Sequence, residues 1–285
     1  MKIKSLIVLS TIILLTLLCS SSKKQNIPFI VDFDKRFVKV DDNFYADKYE
    51  VTVKDYQLFL KERQEKGLDN SLVIYDSTLW VSQWRWSSMP HRDYYFNYKG
   101  YLDYPIICVS HAAAIEFCNW LSDKYNTSPQ KKYEKVLFRL PTEREFVKAA
   151  ISIYDSTRIF YPWGHNGLYH KNKKRCNFWE LQQEELDFND STNKLNYYGD
   201  MHYDAGIESV TGFGCYAPNP YGLYNMVGNV SEMIQEEGIA MGGDWTSTGN
   251  NVKITSKKKY EKNGDVRIGF RVYMEIIEPS KPIYE

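Results

Sequence analysis

Apolar positions define a small number of regular elements in the first half of the chain. Between residues 29 and 49 apolar and polar positions alternate loosely, and this period predicts two or three short strands. Thr52 stands directly before a segment of helical period. We expect it to be a helix N-cap, because its hydroxyl can accept a bond from a backbone N–H of the first turn. The apolar stripe of that helix comprises Tyr56, Phe59 and Leu60.

The same kind of signal predicts two further helices. Ser110 precedes the segment HAAAIEFCNWLSDKY, in which Ala114, Phe117, Cys118 and Leu121 form the expected buried face.

Thr142 and Glu145 have the spacing of a capping box, in which each side chain satisfies a backbone donor of the other residue. After about residue 153 the periodicity fades, and only residues 268–276 carry another short strand signal. Such a chain must hold its loops by buried aromatic residues, side-chain hydrogen bonds or metal ions.

An aromatic insert interrupts the pattern between residues 72 and 103 and has no clear period. It contains Trp80, Trp84 and Trp86. If these rings are exposed, they form a docking surface. If they are buried, they enlarge the core, and we expect the buried arrangement.

Composition excludes several classes of protein. The 285 residues carry 36 Lys and Arg against 36 Asp and Glu, so no net positive field attracts nucleic acid, and we expect no nucleic-acid partner. Hydrophobic residues make up 43% of the chain and charged residues 25%, the mixture of a folded domain rather than a disordered one.

The N-terminal segment is typical of an export signal. Residues 1–18 combine two lysines with an apolar run that is short for a bilayer span of roughly 20 residues. Cys19 follows at once, as in a bacterial lipoprotein signal peptide, in which that cysteine is lipidated. An uncleaved anchor or an ordinary signal peptide remains an alternative. We expect an exported protein, lipid-anchored in the cell envelope at the outer membrane, with residues 19–39 as a tether and N-terminal strands.

Eight fragments in order resemble the formylglycine-generating enzyme family, also called the sulfatase-modifying-factor domain. They are YADKYEVTVKDYQLF, YPIICVSHAAAIEFCNWLS, FRLPTEREFVKAA, YPWG, CNFW, PNPYGLYNMVGNVSEM, MGGDW and RIGFRV. The resemblance implies an α+β, C-type-lectin-like fold with little regular secondary structure. We expect the domain to span residues 40–276, followed by a C-terminal tail at 277–285.

The resemblance also indicates that two metal-binding cysteines of the family are absent from this chain. Active members of the family oxidise a sulfatase cysteine with copper and oxygen, and Cu(I) prefers two thiolates. The family's two cysteines fall here on Ser247 and Val252. This argues against copper and against a catalytic site, unless Cys176 or Cys215 is recruited from another loop. Those two could instead form a disulfide.

The iron-dependent carbon–sulfur chemistry of the wider family is also disfavoured. The five histidines include no i, i+4 pair, and the chain has no length for the additional helical domain of those enzymes.

Calcium is the cofactor that the resemblance supports. One family site corresponds to Asn225, the carbonyls of Gly228 and Val230, and Glu232. Calcium accepts such hard oxygen ligands and can organise irregular loops. The alternative is a capped turn whose polar side chains bond only to the backbone.

A second family calcium site has a weaker counterpart. Its first half corresponds to Asn177 and Phe178, and its second half to Asp204 and Gly206, with altered spacing.

The resemblance further implies that two arginines, Arg267 and Arg271, support the core through carboxylates such as Glu232 or Asp244.

From these features we expect a non-catalytic cell-envelope lipoprotein that acts as a structural or binding module for an envelope protein or a glycan. Assemblies for gliding motility or secretion are examples of its setting. The alternative is a divergent formylglycine-generating oxidoreductase that acts on a sulfatase cysteine.

Overall fold

The computed structural model describes residues 33–83, 92–154, 159–171, 173–179, 185–189, 194–198, 215–261 and 263–279. Several positions discussed above lie outside these residues: the predicted signal segment 1–18, Cys19, Trp84, Trp86, Asp204, Gly206 and the end of the predicted tail. Among the described residues, no helix combines the length and the apolar character that crossing a bilayer requires.

The α-helices of the described residues all end by residue 151, as the loss of periodicity after about residue 153 predicts. They include α1 (Phe33–Arg36), α2 (Val53–Glu65), α3 (Leu79–Gln83), α4 (His111–Asn126) and α5 (Glu143–Ile151). Short 3₁₀ turns cover Lys99–Tyr101 and Gly249–Asn251.

Strands are short throughout. In chain order they are β1 (Phe37–Asp41), β2 (Phe44–Asp47), β3 (Lys135–Arg139), β4 (Tyr169–His170), β5 (Lys173–Lys174), β6 (Glu185–Asn189), β7 (Lys194–Tyr198), β8 (Ser231–Met233), β9 (Ile239–Met241), β10 (Lys257–Lys259), β11 (Ile268–Gly269) and β12 (Tyr273–Glu278). β1 crosses the predicted boundary at residue 39, and β12 runs past residue 276.

Two four-stranded sheets organise these strands. The first has the order β1-β2-β12-β3 and is antiparallel, with Tyr273 opposite both Ala46 and Arg139. The last strand of the chain therefore lies between strands from its first half. The second sheet has the order β10-β9-β8-β11, in which β11 runs parallel to β8. The hairpins β4-β5 and β6-β7 each form a separate two-stranded sheet.

The three predicted helix caps are confirmed. The Thr52 hydroxyl accepts the Asp55 backbone N–H at 3.1 Å, and the Ser110 hydroxyl accepts that of Ala113 at 3.1 Å. At the start of α5, the Thr142 backbone N–H donates to the Glu145 carboxylate at 2.7 Å. Each bond satisfies a backbone donor that the first turn of the helix leaves open.

The core lies on both faces of the first sheet. Because successive side chains of a strand point to opposite faces, Met274 packs with α2 and α4 while Tyr273 packs with α5. Trp80 of the aromatic insert is fully buried and packs 6.2 Å from the ring of Trp245. For this residue, the expectation of a core position is confirmed.

Candidate functional site

Three loops that are far apart in sequence interlock at one point. The carbonyl of Asn177 accepts the Asn229 backbone N–H at 2.8 Å, and the carbonyl of Asn229 accepts that of Trp245 at 2.9 Å. The Trp179 N–H donates to the Ser247 carbonyl at 2.9 Å. The fragments CNFW, NMVGNV and GGDW therefore build a single structure, although they have little regular secondary structure of their own.

The turn at residues 225–230 is wound in the left-handed region of backbone space. Asn225, Gly228 and Asn229 have φ values of 54°, 72° and 64°. Asparagine tolerates this region better than most side chains, whereas Gly228 is also required for space. A Cβ at that position would lie 2.4 Å from the Asn177 carbonyl oxygen.

A fully buried ion pair lies beside this turn. Arg271 is 0% exposed and Glu232 is 1% exposed. The Arg271 Nη2 donates to Glu232 Oε1 at 2.6 Å and to the Tyr224 carbonyl at 2.7 Å, and Nη1 donates to the Asp47 carbonyl at 3.0 Å. The predicted pairing of this arginine with Glu232 is therefore present. Arg267 differs, because it pairs with its neighbour Asp265 at 2.5 Å.

Glu50 completes the cluster and was not found from the sequence. Its Oε1 accepts the Asn229 Nδ2 at 2.9 Å, and its Oε2 accepts the Asn225 Nδ2 at 3.1 Å. Burial raises the pKa of Glu50 to about 7, against the opposing attraction of Arg271. Its position between Tyr49 and Val51 in the fragment YADKYEV was the available signal.

The cluster fits a hard cation. Two buried carboxylates, Glu50 and Glu232, face a single buried arginine. The Asn225 Oδ1 is buried and has no hydrogen-bond partner among the described residues. A buried amide oxygen without a partner costs free energy unless an ion or water satisfies it, and calcium accepts amide, carbonyl and carboxylate oxygens. The alternative of a turn satisfied only by its backbone leaves this oxygen unexplained.

The second predicted calcium site is represented only by its first half. Asn177 is fully buried, and its Nδ2 donates to the Asn229 Oδ1 at 3.2 Å. Phe178 is buried next to it. The structure thus places this pair against the first cluster, whereas the predicted partners Asp204 and Gly206 lie outside the described residues.

A cleft of about 390 Å³ is lined by Ser247, one of the two residues near which the resemblance implies the family's cysteines. Hydroxyl groups, an amide and two lysines line it: Thr246, Ser247, Thr248, Ser256, Asn251, Lys257 and Lys258, beside Gly243. Ser247 reaches the cleft, and its hydroxyl accepts the Asp244 N–H at 3.1 Å. Val252 is fully buried in the core instead. The two positions therefore present a hydroxyl to the cleft and an isopropyl group to the interior.

Asp244 lies between the cleft-lining residues Gly243 and Thr246, but its carboxylate is occupied by hydrogen bonds within the same turn and by neighbouring side chains. Its Oδ1 accepts the Thr246 N–H at 2.9 Å and the Thr246 hydroxyl at 2.6 Å. Its Oδ2 accepts the Ser231 hydroxyl at 3.3 Å and pairs with Lys258. A fully buried carboxylate with four donors stabilises the loop rather than acting as a base.

The cysteines of the described residues form no disulfide. The disulfide considered between Cys176 and Cys215 is therefore wrong for this structure: Cys176 is buried, whereas Cys215 is exposed. Cys108 and Cys118 are buried, and burial raises the pKa of both thiols. None of the four lines the cleft, as far as the described residues define it. Nor do those residues contain a group of three His, Cys, Asp or Glu side chains placed to hold a metal.

The geometry can be set beside known proteins. A family model described as Sulfatase-modifying factor enzyme 1-like domain matches residues 22–276. A formylglycine-generating enzyme of Thermomonospora curvata is 32% identical over 146 residues, which cover 51% of this chain and 37% of that protein. The formylglycine-generating enzyme of Mus musculus is 25% identical over 256 residues, which cover 80% of this chain and 56% of that protein. The chain thus matches about half of its curated relatives' length or less.

Solved structures also resemble it. PvdO from Pseudomonas aeruginosa has a TM-score of 0.49 at 16% identity, covering 81% of this chain and 80% of that chain. Variable protein 1 of Treponema denticola has a TM-score of 0.49 at 15% identity, covering 84% of this chain and 91% of that chain. The mixed helices and short strands described above form the α+β, C-type-lectin-like fold expected for a formylglycine-generating-enzyme domain.

Proposed function

Because the chain belongs to the sulfatase-modifying factor enzyme 1-like family, yet lacks that family's two thiols, we propose that it is a non-catalytic structural or binding module. A single observation carries this proposal: the cleft at the family's catalytic position is lined by hydroxyls and lysines, and Val252 lies in the core. Oxygen and nitrogen donors do not replace two thiolates for Cu(I).

The test is a competition titration of the purified protein with Cu(I), followed by oxygen consumption in the presence of a C-x-P-x-R peptide. A family member that retains both cysteines serves as the positive control. We expect no stoichiometric Cu(I) uptake and no peptide-dependent oxygen consumption. Uptake of one copper per chain with turnover of the peptide cysteine would support the alternative, a divergent oxidoreductase.

We further propose that calcium is a structural cofactor at the buried cluster. Asn225 Oδ1, the carbonyls of Gly228 and Val230, and Glu232 would hold it. Glu232 Oε1 accepts both Nε and Nη2 of Arg271, whereas Oε2 accepts Nε and keeps a second lone pair for the ion. Bound calcium would neutralise the surplus acid charge and tie the three loops together. The Asn225 variant described in the Discussion tests this assignment.

The cellular setting is proposed from the N-terminal sequence. We propose export, lipid attachment at Cys19 and retention at the outer membrane, where the domain engages an envelope protein or a glycan. An assembly of the gliding-motility or secretion type is such a setting. Incorporation of labelled palmitate into the full chain, lost in Cys19→Ser, is the expected result. Labelling that persists in Cys19→Ser, or a chain that enters no membrane fraction, would contradict it.

A further inference from the structure

The aromatic insert contributes a cleft that the family resemblance does not explain. It has a volume of about 410 Å³ and is lined by Tyr94, Tyr98, Gly100, Tyr101 and Tyr104. This volume lies within the range of about 300–1,000 Å³ that is usual for ligand pockets. Tyr94 and Tyr98 are 57% and 60% exposed, so their rings meet solvent instead of filling the core.

The cleft stands on a rigid base. The neighbouring Tyr95 is fully buried, and its hydroxyl donates to the Pro105 carbonyl at 2.7 Å. Phe96 stacks on Tyr75 with ring centroids 4.0 Å apart, and Gln57 of α2 donates to the Phe96 carbonyl. The exposed tyrosines therefore alternate with residues that are anchored in the core. A preformed site of this kind reduces the ordering entropy that binding must overcome.

The rings form a corrugated wall. Tyr98 and Tyr101 have centroids 6.3 Å apart at an interplanar angle of 66°, and Tyr101 and Tyr104 are 5.0 Å apart at 78°. Gly100 makes room for this arrangement, because a Cβ there would lie 2.9 Å from the Tyr98 ring.

The chemistry of the lining selects a type of ligand. Among the described residues, it offers ring faces and phenolic hydroxyl donors, and no acid, amide or basic side chain. A sugar presents many hydroxyls, which need acid, amide or basic side chains as hydrogen-bond partners. A polyproline II segment presents apolar proline rings together with backbone carbonyls that have no internal hydrogen bonds, and aromatic-lined grooves recognise such segments.

We propose that this tyrosine cleft binds a proline-rich peptide segment of a partner protein in the polyproline II conformation. The proposal rests on the function proposed above, since it names the partner chemistry of a binding module. The ring faces pack against prolines, and the hydroxyls of the exposed tyrosines donate to peptide carbonyls.

Cys215 provides a reporter for occupancy. It is exposed, whereas the other three cysteines of the described residues are buried. Burial raises the pKa of Tyr104, and Tyr101 and Cys215 raise it further, so Cys215 lies within electrostatic reach of a tyrosine that lines the cleft. A bound peptide is expected to slow alkylation of Cys215.

The experiment uses the full chain and an array of P-x-x-P dodecapeptides, in which each peptide has a partner with alanine in place of both prolines. Peptides that bind are then titrated in solution, and alkylation at Cys215 is followed by mass spectrometry. We expect proline-dependent binding, weakened about tenfold or more by Tyr98→Ala, and slower alkylation of Cys215. Gly100→Ala should weaken binding as well, because it displaces the Tyr98 ring without removing an aromatic group.

Ile153→Ala is the matched control, since this apolar side chain is 71% exposed and lies outside the cleft. It should leave peptide affinity unchanged. Absence of proline-dependent binding, or binding that Tyr98→Ala and Gly100→Ala leave intact, overturns the proposal. Binding of a glycan array in place of the peptides, sensitive to the same variants, overturns it in favour of a sugar. The copper and oxygen measurements remain independent of these results, so failure here and failure of the proposed function are distinguishable.

Discussion

Arg271 and Glu232 form an ion pair inside the core, with Nη2 2.6 Å from Oε1 and neither side chain more than 2% exposed. The same guanidinium donates to the carbonyls of Asp47 and Tyr224. It therefore links the end of β2 to the loop that precedes β8. A second buried acid, Glu50, shares its field, so one cation serves two carboxylates.

Removing this arginine should be severe. Arg271→Met leaves Glu232 and Glu50 without a buried counter-charge, and we expect the free energy of unfolding to fall by about 3–5 kcal/mol. Urea unfolding followed by circular dichroism measures this. Arg92→Met is the matched control, because its side chain is 35% exposed and pairs locally with Asp93, which is 49% exposed; it should leave the free energy of unfolding nearly unchanged. Equal losses in both variants would show that burial of the pair is not the cause.

The capping box of α5 should give a pH-dependent contribution to stability. Burial opposes ionisation of Glu145, but the bidentate Arg139 guanidinium and the Thr142 N–H outweigh it and hold its pKa below the ordinary value. A lowered pKa means that this stabilisation is present above the unfolded-state pKa and is lost as pH falls through the folded-state pKa.

Glu145→Gln should therefore reduce stability at pH 7 by about 1–2 kcal/mol, and the difference from the parent should shrink toward pH 3. Chemical denaturation across this pH range checks it. Glu143→Gln, at an exposed position paired with Lys257, should change stability by less than about 0.5 kcal/mol at any pH. A Glu145→Gln difference that grows as pH falls would contradict the sign.

Two glycines with nearly the same left-handed φ distinguish the cost of backbone strain from the cost of steric crowding by an added Cβ. Gly228 and Gly67 have φ values of 72° and 71°. A Cβ at Gly228 would lie 2.4 Å from the Asn177 carbonyl oxygen, whereas nothing lies within 4 Å of one at Gly67.

We expect Gly67→Ala to cost about 1–2 kcal/mol through the left-handed backbone alone. Gly228→Ala should cost about 3 kcal/mol or more, because the Asn177 loop must also move. Thermal and urea unfolding of both variants provide the measurement. Similar losses would mean that the Asn177 loop yields easily and is not held as tightly as its hydrogen bonds indicate.

Calcium should stabilise the protein through Asn225. Stabilisation by a ligand that binds only the folded state reaches about 2.7 kcal/mol at a hundred times its Kd. We expect a higher Tm in calcium than in a chelator, and no such difference in Asn225→Gly, which keeps the left-handed backbone and removes Oδ1.

Asn229→Gly is the control for this change. It has the same kind of φ and also donates to Glu50, but it is not a proposed ligand, so it should lower the Tm and keep the calcium response. Loss of the response in Asn229→Gly alone, or no response in the parent protein, would remove calcium from this cluster.

Local signals account for what could be predicted correctly. The helices begin at Thr52, Ser110 and Thr142 because each cap depends on residues three positions away. The family is also a property of the linear sequence.

Long-range contacts account for what was missed. Glu50 meets Asn225 and Asn229 across about 175 positions of chain, and no periodicity signals such a contact. Whether Cys176 and Cys215 pair was left open by the sequence for the same reason, because burial of one thiol and exposure of the other depend on packing.

The sequence by itself determined where helices start and which family the chain belongs to. Only the tertiary structure decided that Asp244 is consumed by its own turn, that Trp80 enters the core while Tyr98 remains exposed, and that one arginine serves two buried acids. The physical reason is the sequence separation over which each kind of interaction acts. Caps and periodicity act within a few residues, whereas burial and charge pairing depend on segments that meet only after folding.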